Sequence, residues 1–212
     1  MGPRVLLATV AFLVLLCSCS SALISLPTVS DYEVESFVAK EAAKILEVSE
    51  NADEANDYRF RLVTFPREDI LGLSLGNREI FLSYELSRRA YRQEGYRWLF
   101  RHVLAHEVAH DVLEHQSTKH EASLNSVPGG RRFMTGRDLG LPDNISLRNY
   151  SRAFELAADR KAIEYWSKVG WDCQIWVGIF NRFRDQGYVG DADHPTQERL
   201  DLAIGMCDAA NR

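Results

Sequence analysis

Most hydrophobic positions along the chain recur at the spacing of an α-helix. In the longest such stretches an apolar side chain returns every three or four residues, which places these side chains on one face of a helix. The stretches are residues 31–48, 96–115, 147–168, 171–183 and 196–209, with a shorter one at 85–91. Pro195 precedes the last of them, and proline favours the first turn of a helix. The pattern therefore predicts a mainly helical protein.

A smaller part of the chain has the pattern of β-strands. Residues 58–65, YRFRLVTF, alternate as a half-buried strand does. Residues 70–82 are apolar but are interrupted by Gly76 and Asn77, a pair typical of turns, so they predict two short strands. The polar segment 49–57 predicts a loop. The predicted fold class is α+β, mainly α-helical, with a small antiparallel or mixed sheet.

The predicted helix over 96–115 carries the pattern H-E-x-x-H. His106 and His110 are four residues apart, so they lie on the same face of the helix. Their imidazoles can bind one metal ion, and a catalytic zinc ion would need a third protein ligand and an open position for water. Glu107 lies beside this site and is suited to accept a proton from that water. A helix that carries histidines for packing alone is the alternative interpretation.

A third ligand is predicted in the following helix, which reads RAFELAADR over residues 152–160. Glu155 would complete the two-histidine, one-glutamate set of a catalytic zinc site. Asp159 shares its helical face and can orient a liganding histidine. A solvated acidic face is the alternative. However, Glu155 is flanked by Phe154 and Leu156, where an unpaired carboxylate would be costly to bury.

Composition restricts the class of protein without identifying it. The 212 residues suit one domain, and 46% of them are hydrophobic, which is enough for a core. The formal net charge is −5, and no basic patch with interleaved aromatic residues is present. Binding of nucleic acid is therefore not predicted.

The amino terminus has the pattern of an export signal. Arg4 provides a short positive region, residues 5–16 are apolar, and Leu16-Cys17-Ser18-Cys19 resembles a bacterial lipobox. Lipidated Cys19 would anchor the domain to a membrane on the periplasmic side of a bacterial envelope. A plain signal peptide, which would give a secreted or periplasmic soluble protein, and an uncleaved anchor are the alternatives. The predicted divisions are a lipoprotein-type signal peptide over 1–18, a linker over 19–29 and a single domain over 30–212, which contains the candidate metal site.

Two further cysteines, Cys173 and Cys207, lie in the predicted domain. An even pair in an oxidising compartment favours a disulfide bond, which would tie the last helix to an earlier part of the chain. Two buried free thiols are the alternative.

The ordered motifs resemble those of a known family. The segments HEVAHDVLEH over 106–115, ELAAD over 155–159 and HPTQER over 194–199 are similar to its HExxH, ExxxD and HPxxxxR motifs. The family is that of the HtpX-like and CAAX-prenyl-protease-type zinc metallopeptidases, peptidase family M 48. The resemblance spans residues 70–202, and the ordered combination is more specific than HExxH alone.

This resemblance implies a gluzincin-like fold, with the small sheet beside the HExxH helix, and a metalloendopeptidase with one zinc ion per chain. It implies that Glu107 is the general base, that His194 stabilises the oxyanion, and that Arg199 organises the same corner. The implied substrates are polypeptides, namely misfolded or unassembled envelope proteins.

The chain also departs from the family pattern. Residues 70–77, ILGLSLGN, stand where the family has N-A-x-x-x-P-G-G before the strand that binds the substrate. No segment after the leader has the pattern of a membrane-spanning helix, so the chain resembles the small soluble or lipid-anchored periplasmic members. The polar segment 117–147 is a candidate lid, in which His120 or Met134 would cap the zinc ion in a latent state.

Two other classes of function fit parts of the pattern. A chaperone-like assembly factor with latent or low protease activity would use the same fold and the segment 117–147. A structural zinc site would need a fourth protein ligand, for which the sequence offers His120 or His194.

Overall fold

The computed structural model describes residues 26–115, 152–188, 190 and 194–210. Within these ranges the chain forms six α-helices and a three-stranded sheet, which confirms the predicted mainly helical α+β class. The helices are α1 (Tyr32–Leu46), α2 (Tyr84–Arg92), α3 (Glu94–Val112), α4 (Arg152–Lys168), α5 (Cys173–Asp185) and α6 (Thr196–Ala210). The strands are β1 (Arg59–Val63), β2 (Gly72–Ser74) and β3 (Glu79–Ser83).

Several sequence predictions lie outside the described residues. They are the signal peptide with Cys19 and the segment 117–147 with His120 and Met134. In the described ranges, none of the helices combines the length and the apolar character that a bilayer span requires.

Helix α1 begins where the sequence supplies an N-cap. The Asp31 carboxylate accepts a hydrogen bond from the backbone N–H of Val34 at 3.3 Å, which satisfies one of the free amide groups of the first turn. The Tyr84 hydroxyl donates to the other oxygen of Asp31 at 2.9 Å. Because Tyr84 is the first residue of α2, this capping side chain also ties the starts of α1 and α2 together.

The sheet is mixed, with strand order β1-β3-β2. β3 pairs in parallel with β1 and antiparallel with β2, so β2 is a terminal strand. The turn between β2 and β3 is left-handed at three successive residues, with φ of 77° at Gly76, 52° at Asn77 and 63° at Arg78. The predicted turn is confirmed, and Arg78 adopts a conformation that residues other than glycine rarely adopt.

One predicted loop contains a short helix. Within the polar segment 49–57, residues Ala52–Asp57 form a 3₁₀ helix, so the loop prediction is wrong for them. This helix buries no side chain. It therefore leaves no apolar periodicity in the sequence from which it could be predicted.

Helix α3 packs against α1, α2 and α4 and against the sheet, so it forms the centre of the core. Its Phe100 and Leu104 are fully buried. Beside it, the ring centroid of Trp166 lies 4.8 Å from that of Trp171 and 5.2 Å from that of Trp176, both in edge-to-face geometry. Such aromatic pairs contribute about 0.5–1.5 kcal/mol each beyond their burial.

Cys173 and Cys207 form a disulfide bond, which confirms that prediction. Their Cα atoms are 5.6 Å apart, and the bond joins the first residue of α5 to α6. A bond across 34 residues of chain restricts the unfolded state and so favours the folded one. It also holds α6 in place, and α6 carries Arg199.

A buried ion pair attaches α1 to α3. Arg101 Nε donates to Glu41 Oε2 at 2.7 Å, and the two side chains are 11% and 7% exposed. The Arg101 guanidinium also lies 4.4 Å from the ring centroid of Trp98 and 4.8 Å from that of Trp171. Burial opposes ionisation of Glu41, but Arg101 and Lys44 outweigh burial and lower the pKa of its carboxyl group.

We expect Glu41→Gln to lower the free energy of unfolding by about 1.5–3 kcal/mol at neutral pH, because it leaves the buried Arg101 cation without its carboxylate. The pKa of Glu41 is lower in the folded than in the unfolded chain, so its stabilisation is complete above the unfolded pKa and is lost as the pH falls below it.

The difference in the free energy of unfolding between the parent and Glu41→Gln should therefore be smaller at about pH 3 than at neutral pH, as measured by denaturant unfolding. Glu47→Gln, at an exposed position just beyond the end of α1, is the control and should have little effect at either pH. An equal effect of Glu41→Gln at both pH values would contradict the ion pair.

Candidate metal centre

Helices α3 and α4 bring the three predicted ligands together. His106 Nε2 lies 3.0 Å from His110 Nε2 and 3.1 Å from Glu155 Oε2, and His110 Nε2 lies 3.5 Å from Glu155 Oε1. Ligand atoms at about 2.0–2.1 Å from a tetrahedral zinc ion would be about 3.3 Å from one another. The three side chains can therefore hold one metal ion with little rearrangement.

Glu155 is 1% exposed and is nevertheless ionised. Burial opposes its ionisation, but hydrogen bonds with His106, His110 and His194 outweigh burial and hold its pKa well below the usual range. The first turn of α4 therefore presents an anionic oxygen ligand to the two imidazoles of α3.

His106 is oriented by Asp159, one helical turn beyond Glu155 on α4. His106 Nδ1 lies 2.9 Å from Asp159 Oδ1, and a proton donated from Nδ1 to this carboxylate leaves Nε2 as the metal-binding nitrogen. Burial lowers the pKa of His106, but Asp159 and Glu155 outweigh burial and raise the pKa to about 10. A metal ion that binds here competes with a firmly held proton.

Asp159 is fully buried, so the alternative of a solvated acidic face is wrong. Arg199 of α6 donates from Nε to Asp159 Oδ2 at 2.5 Å and from Nη2 to Oδ1 at 2.7 Å. Burial opposes ionisation of Asp159, but the Arg199 cation outweighs burial and holds the pKa far below its usual range. His106, Asp159 and Arg199 thus join α3, α4 and α6 through one chain of charged hydrogen bonds.

Glu107 lies beside the ligands and is held by the sheet. The backbone N–H of Ser74, in β2, donates to Glu107 Oε2 at 2.7 Å. Glu107 is 8% exposed, and burial raises the pKa of its carboxyl group to about 7. A carboxyl group with this pKa can both accept and return a proton near neutral pH.

The close approach of β2 to α3 depends on Gly72. A Cβ atom at this position would lie 2.7 Å from Val103 Cγ1 and 2.8 Å from Glu107 Cγ. Both separations are too short for normal carbon contacts, which lie at about 3.5–4.0 Å. Glycine therefore allows the strand to pass directly over the side chain of Glu107.

His194 lies at the same site but outside the group of three ligands. Its Nε2 is 3.3 Å from Glu155 Oε1, and its side chain is 30% exposed. Among the described residues, the group that can hold a metal ion consists of His106, His110 and Glu155. Within the described residues the candidate centre therefore has three protein ligands and leaves one coordination position open. His120, the other predicted fourth ligand, lies outside the described residues.

The third histidine on this face of α3, His102, is not part of the centre. It is 5% exposed and packs against Trp176, with ring centroids 4.2 Å apart. Burial lowers its pKa to about 3, so it is neutral at physiological pH. His102 is therefore a residue of the core.

Two contacts between the helix and the sheet were not predicted. Besides the bond from Ser74 to Glu107, the backbone N–H of Arg78 donates to Asp111 Oδ1 at 3.0 Å. Both ends of the β2–β3 turn are thus attached to carboxylates of α3. The four-residue spacing of Glu107 and Asp111 places two acidic side chains on one face of α3, and this is the sequence feature that bears on these contacts.

No protein-family model matches the chain, and no curated protein matches it. The resemblance to peptidase family M 48 therefore stays an interpretation of the motifs.

We expect Glu155→Gln to remove most of the metal affinity, because a neutral amide replaces the anionic ligand between two histidines. Zinc affinity, measured by competition with a chromophoric chelator, should fall by more than the ~10–100-fold typical of losing an outer-shell partner. Glu164→Gln is the matched control, since Glu164 lies on the same helix with its side chain 39% exposed. Unchanged affinity in Glu155→Gln would refute the ligand assignment.

Gly72→Ala should push β2 away from α3, because the added methyl group collides with Val103 and Glu107. We expect a loss of about 1–3 kcal/mol of stability and faster amide hydrogen exchange at Ser74, with zinc affinity retained. Gly95→Ala is the control, since a Cβ there meets no atom within 4 Å. Slow exchange at Ser74 in Gly72→Ala would show that the strand does not depend on glycine.

Proposed function

We propose that the protein is a zinc-dependent metalloendopeptidase with a gluzincin-like fold. The strongest support for this proposal is the position of Glu107 beside the candidate metal ligands. Its buried carboxyl group, with a pKa of about 7, lies next to a largely buried group of two histidines and one glutamate. A metal site and a general base are thus available at one position.

The donor set favours zinc over other common divalent ions. Two imidazole nitrogens and one carboxylate are the ligands of several catalytic zinc sites. Magnesium and calcium prefer sites made of oxygen ligands alone. The three-ligand arrangement of the described residues also leaves the coordination position that catalysis requires.

A zinc ion in this site would acidify a water molecule and polarise the carbonyl group of the scissile peptide bond. Glu107 accepts a proton from the attacking water and later delivers it to the leaving amine. Its pKa of about 7 suits both transfers at neutral pH. The hydrogen bond from the Ser74 N–H fixes the orientation of the carboxyl group during these transfers.

His194 is the proposed donor to the oxyanion that forms on the substrate. It lies 3.3 Å from the third ligand, and its ring is partly open to solvent. A hydrogen-bond donor placed where negative charge develops stabilises the transition state more than the ground state. Arg199 stabilises the same part of the site through its hydrogen bond to Asp159.

The proposed substrates are extended segments of polypeptide. β2 is a terminal strand of the described sheet and contacts Glu107 directly, so an added strand beside it would place a peptide bond near the general base. Misfolded or unassembled proteins offer such extended segments. Their location in a bacterial envelope follows from the proposed leader over residues 1–18.

We expect Glu107→Gln to abolish hydrolysis of an unfolded protein such as casein while zinc remains bound, because glutamine cannot take the proton but does not disturb the ligands. A loss of about 10²–10⁴-fold is typical when a general base is removed. Zinc content and cleavage should be measured on the same preparations. Glu94→Gln, at an exposed position in the first turn of α3, is the control and should retain activity.

Cleavage by the parent and the control, with zinc in all three proteins, would establish the peptidase. Cleavage by Glu107→Gln at the parent rate would remove its role as base. Zinc binding without cleavage in any of them would instead favour the chaperone-like assembly factor.

A further inference from the structure

We infer that His115 is a positioning residue that holds the metal ligand His110 in its metal-binding orientation. This inference rests on the proposed metal centre, and it assigns a role to a histidine that does not itself belong to the ligand group.

The hydrogen bond determines which nitrogen of His110 is free. His110 Nδ1 lies 2.8 Å from His115 Nδ1, while His110 Nε2 faces the other two ligands. A neutral imidazole that binds a metal through Nε2 carries its proton on Nδ1. His110 must then donate this proton, and His115 Nδ1 must accept it.

The same ring also contacts the helix that supplies the third ligand. The His115 ring stacks on Phe154, with ring centroids 4.3 Å apart and planes 9° from parallel. Phe154 directly precedes Glu155 in the first turn of α4. His115 therefore lies between His110 on one helix and the neighbour of Glu155 on the other.

The backbone brings His115 to this place through an uncommon turn. Helix α3 ends at Val112, and Glu114 follows with φ of 51°, in the left-handed region. Residues other than glycine rarely adopt this conformation, and such strained positions concentrate at functional sites. After this turn the His115 side chain is 5% exposed and lies within hydrogen-bond distance of His110.

Two substitutions separate the hydrogen bond from the packing. His115→Phe keeps an aromatic ring that can stack on Phe154 but has no acceptor for the His110 proton. His115→Asn places an amide oxygen near the position of Nδ1 but has no ring to stack. A positioning role through the hydrogen bond and a role in packing alone thus predict opposite results.

The experiment measures the zinc affinity of the purified parent chain and both variants by chelator competition, with near-UV circular dichroism as a check of folding. We expect His115→Phe to bind zinc about 10–100-fold more weakly, as for other outer-shell partners of metal ligands, and His115→Asn to stay close to the parent. Long-range proton–nitrogen correlation spectra of the zinc-loaded proteins should show His110 protonated on Nδ1 in the parent.

Weak binding by His115→Asn with normal binding by His115→Phe would overturn the inference in favour of packing. Equal affinities in all three proteins, or equal losses in both variants, would overturn it as well. A parent chain that binds no zinc would refute the metal centre itself, which separates that failure from a failure of the role of His115.

Discussion

The structure depends on the pairing of the charges that α3, α4 and α6 bury against one another. Glu155 and Asp159 have almost no contact with water, and an unpaired carboxylate at either position would cost several kcal/mol. His106 and Arg199 supply the compensating donors. Each partner comes from a different helix. The packing of the three helices therefore also fixes the geometry of the candidate metal ligands.

A second constraint joins the sheet to α3. The β2–β3 turn is left-handed at Asn77 and Arg78, which are not glycines, and such a turn is unfavourable without compensation. Compensation comes from two backbone amides that donate to Glu107 and Asp111. The β2–β3 turn and the side chains of Glu107 and Asp111 on α3 therefore stabilise one another.

The sequence predicts the parts of this site that depend on helical periodicity. The shared faces of His106 with His110 and of Glu155 with Asp159 follow from a four-residue spacing, and the flanking apolar residues indicate burial. The same reasoning predicts the six helices. At most of the helix ends that the structure describes, the predicted and observed boundaries differ by only a few residues.

The contacts that the sequence did not predict depend on the backbone between regular elements. The amides of Ser74 and Arg78 carry no side-chain signal, and the Arg78 amide lies in a turn with successive positive φ angles. The approach of Gly72 to α3 and the 3₁₀ helix at Ala52–Asp57 leave no apolar period either. The spacing of residues along one helix can be recognised in the sequence. These contacts, in contrast, become apparent only in the folded structure.

The interactions that hold His106, His110 and Glu155 in place also indicate which kind of metal site they would form. In small zinc domains the metal itself supplies much of the folding free energy, and four protein ligands close the site. Here the ligand-bearing helices are already fixed by a buried aromatic core, by a disulfide bond on α6 and by Asp159 with Arg199. A fold held by these interactions does not need a fourth ligand for its stability. That position can therefore be left to water, next to the buried carboxyl group of Glu107 with its pKa of about 7, as the proposed hydrolysis would require.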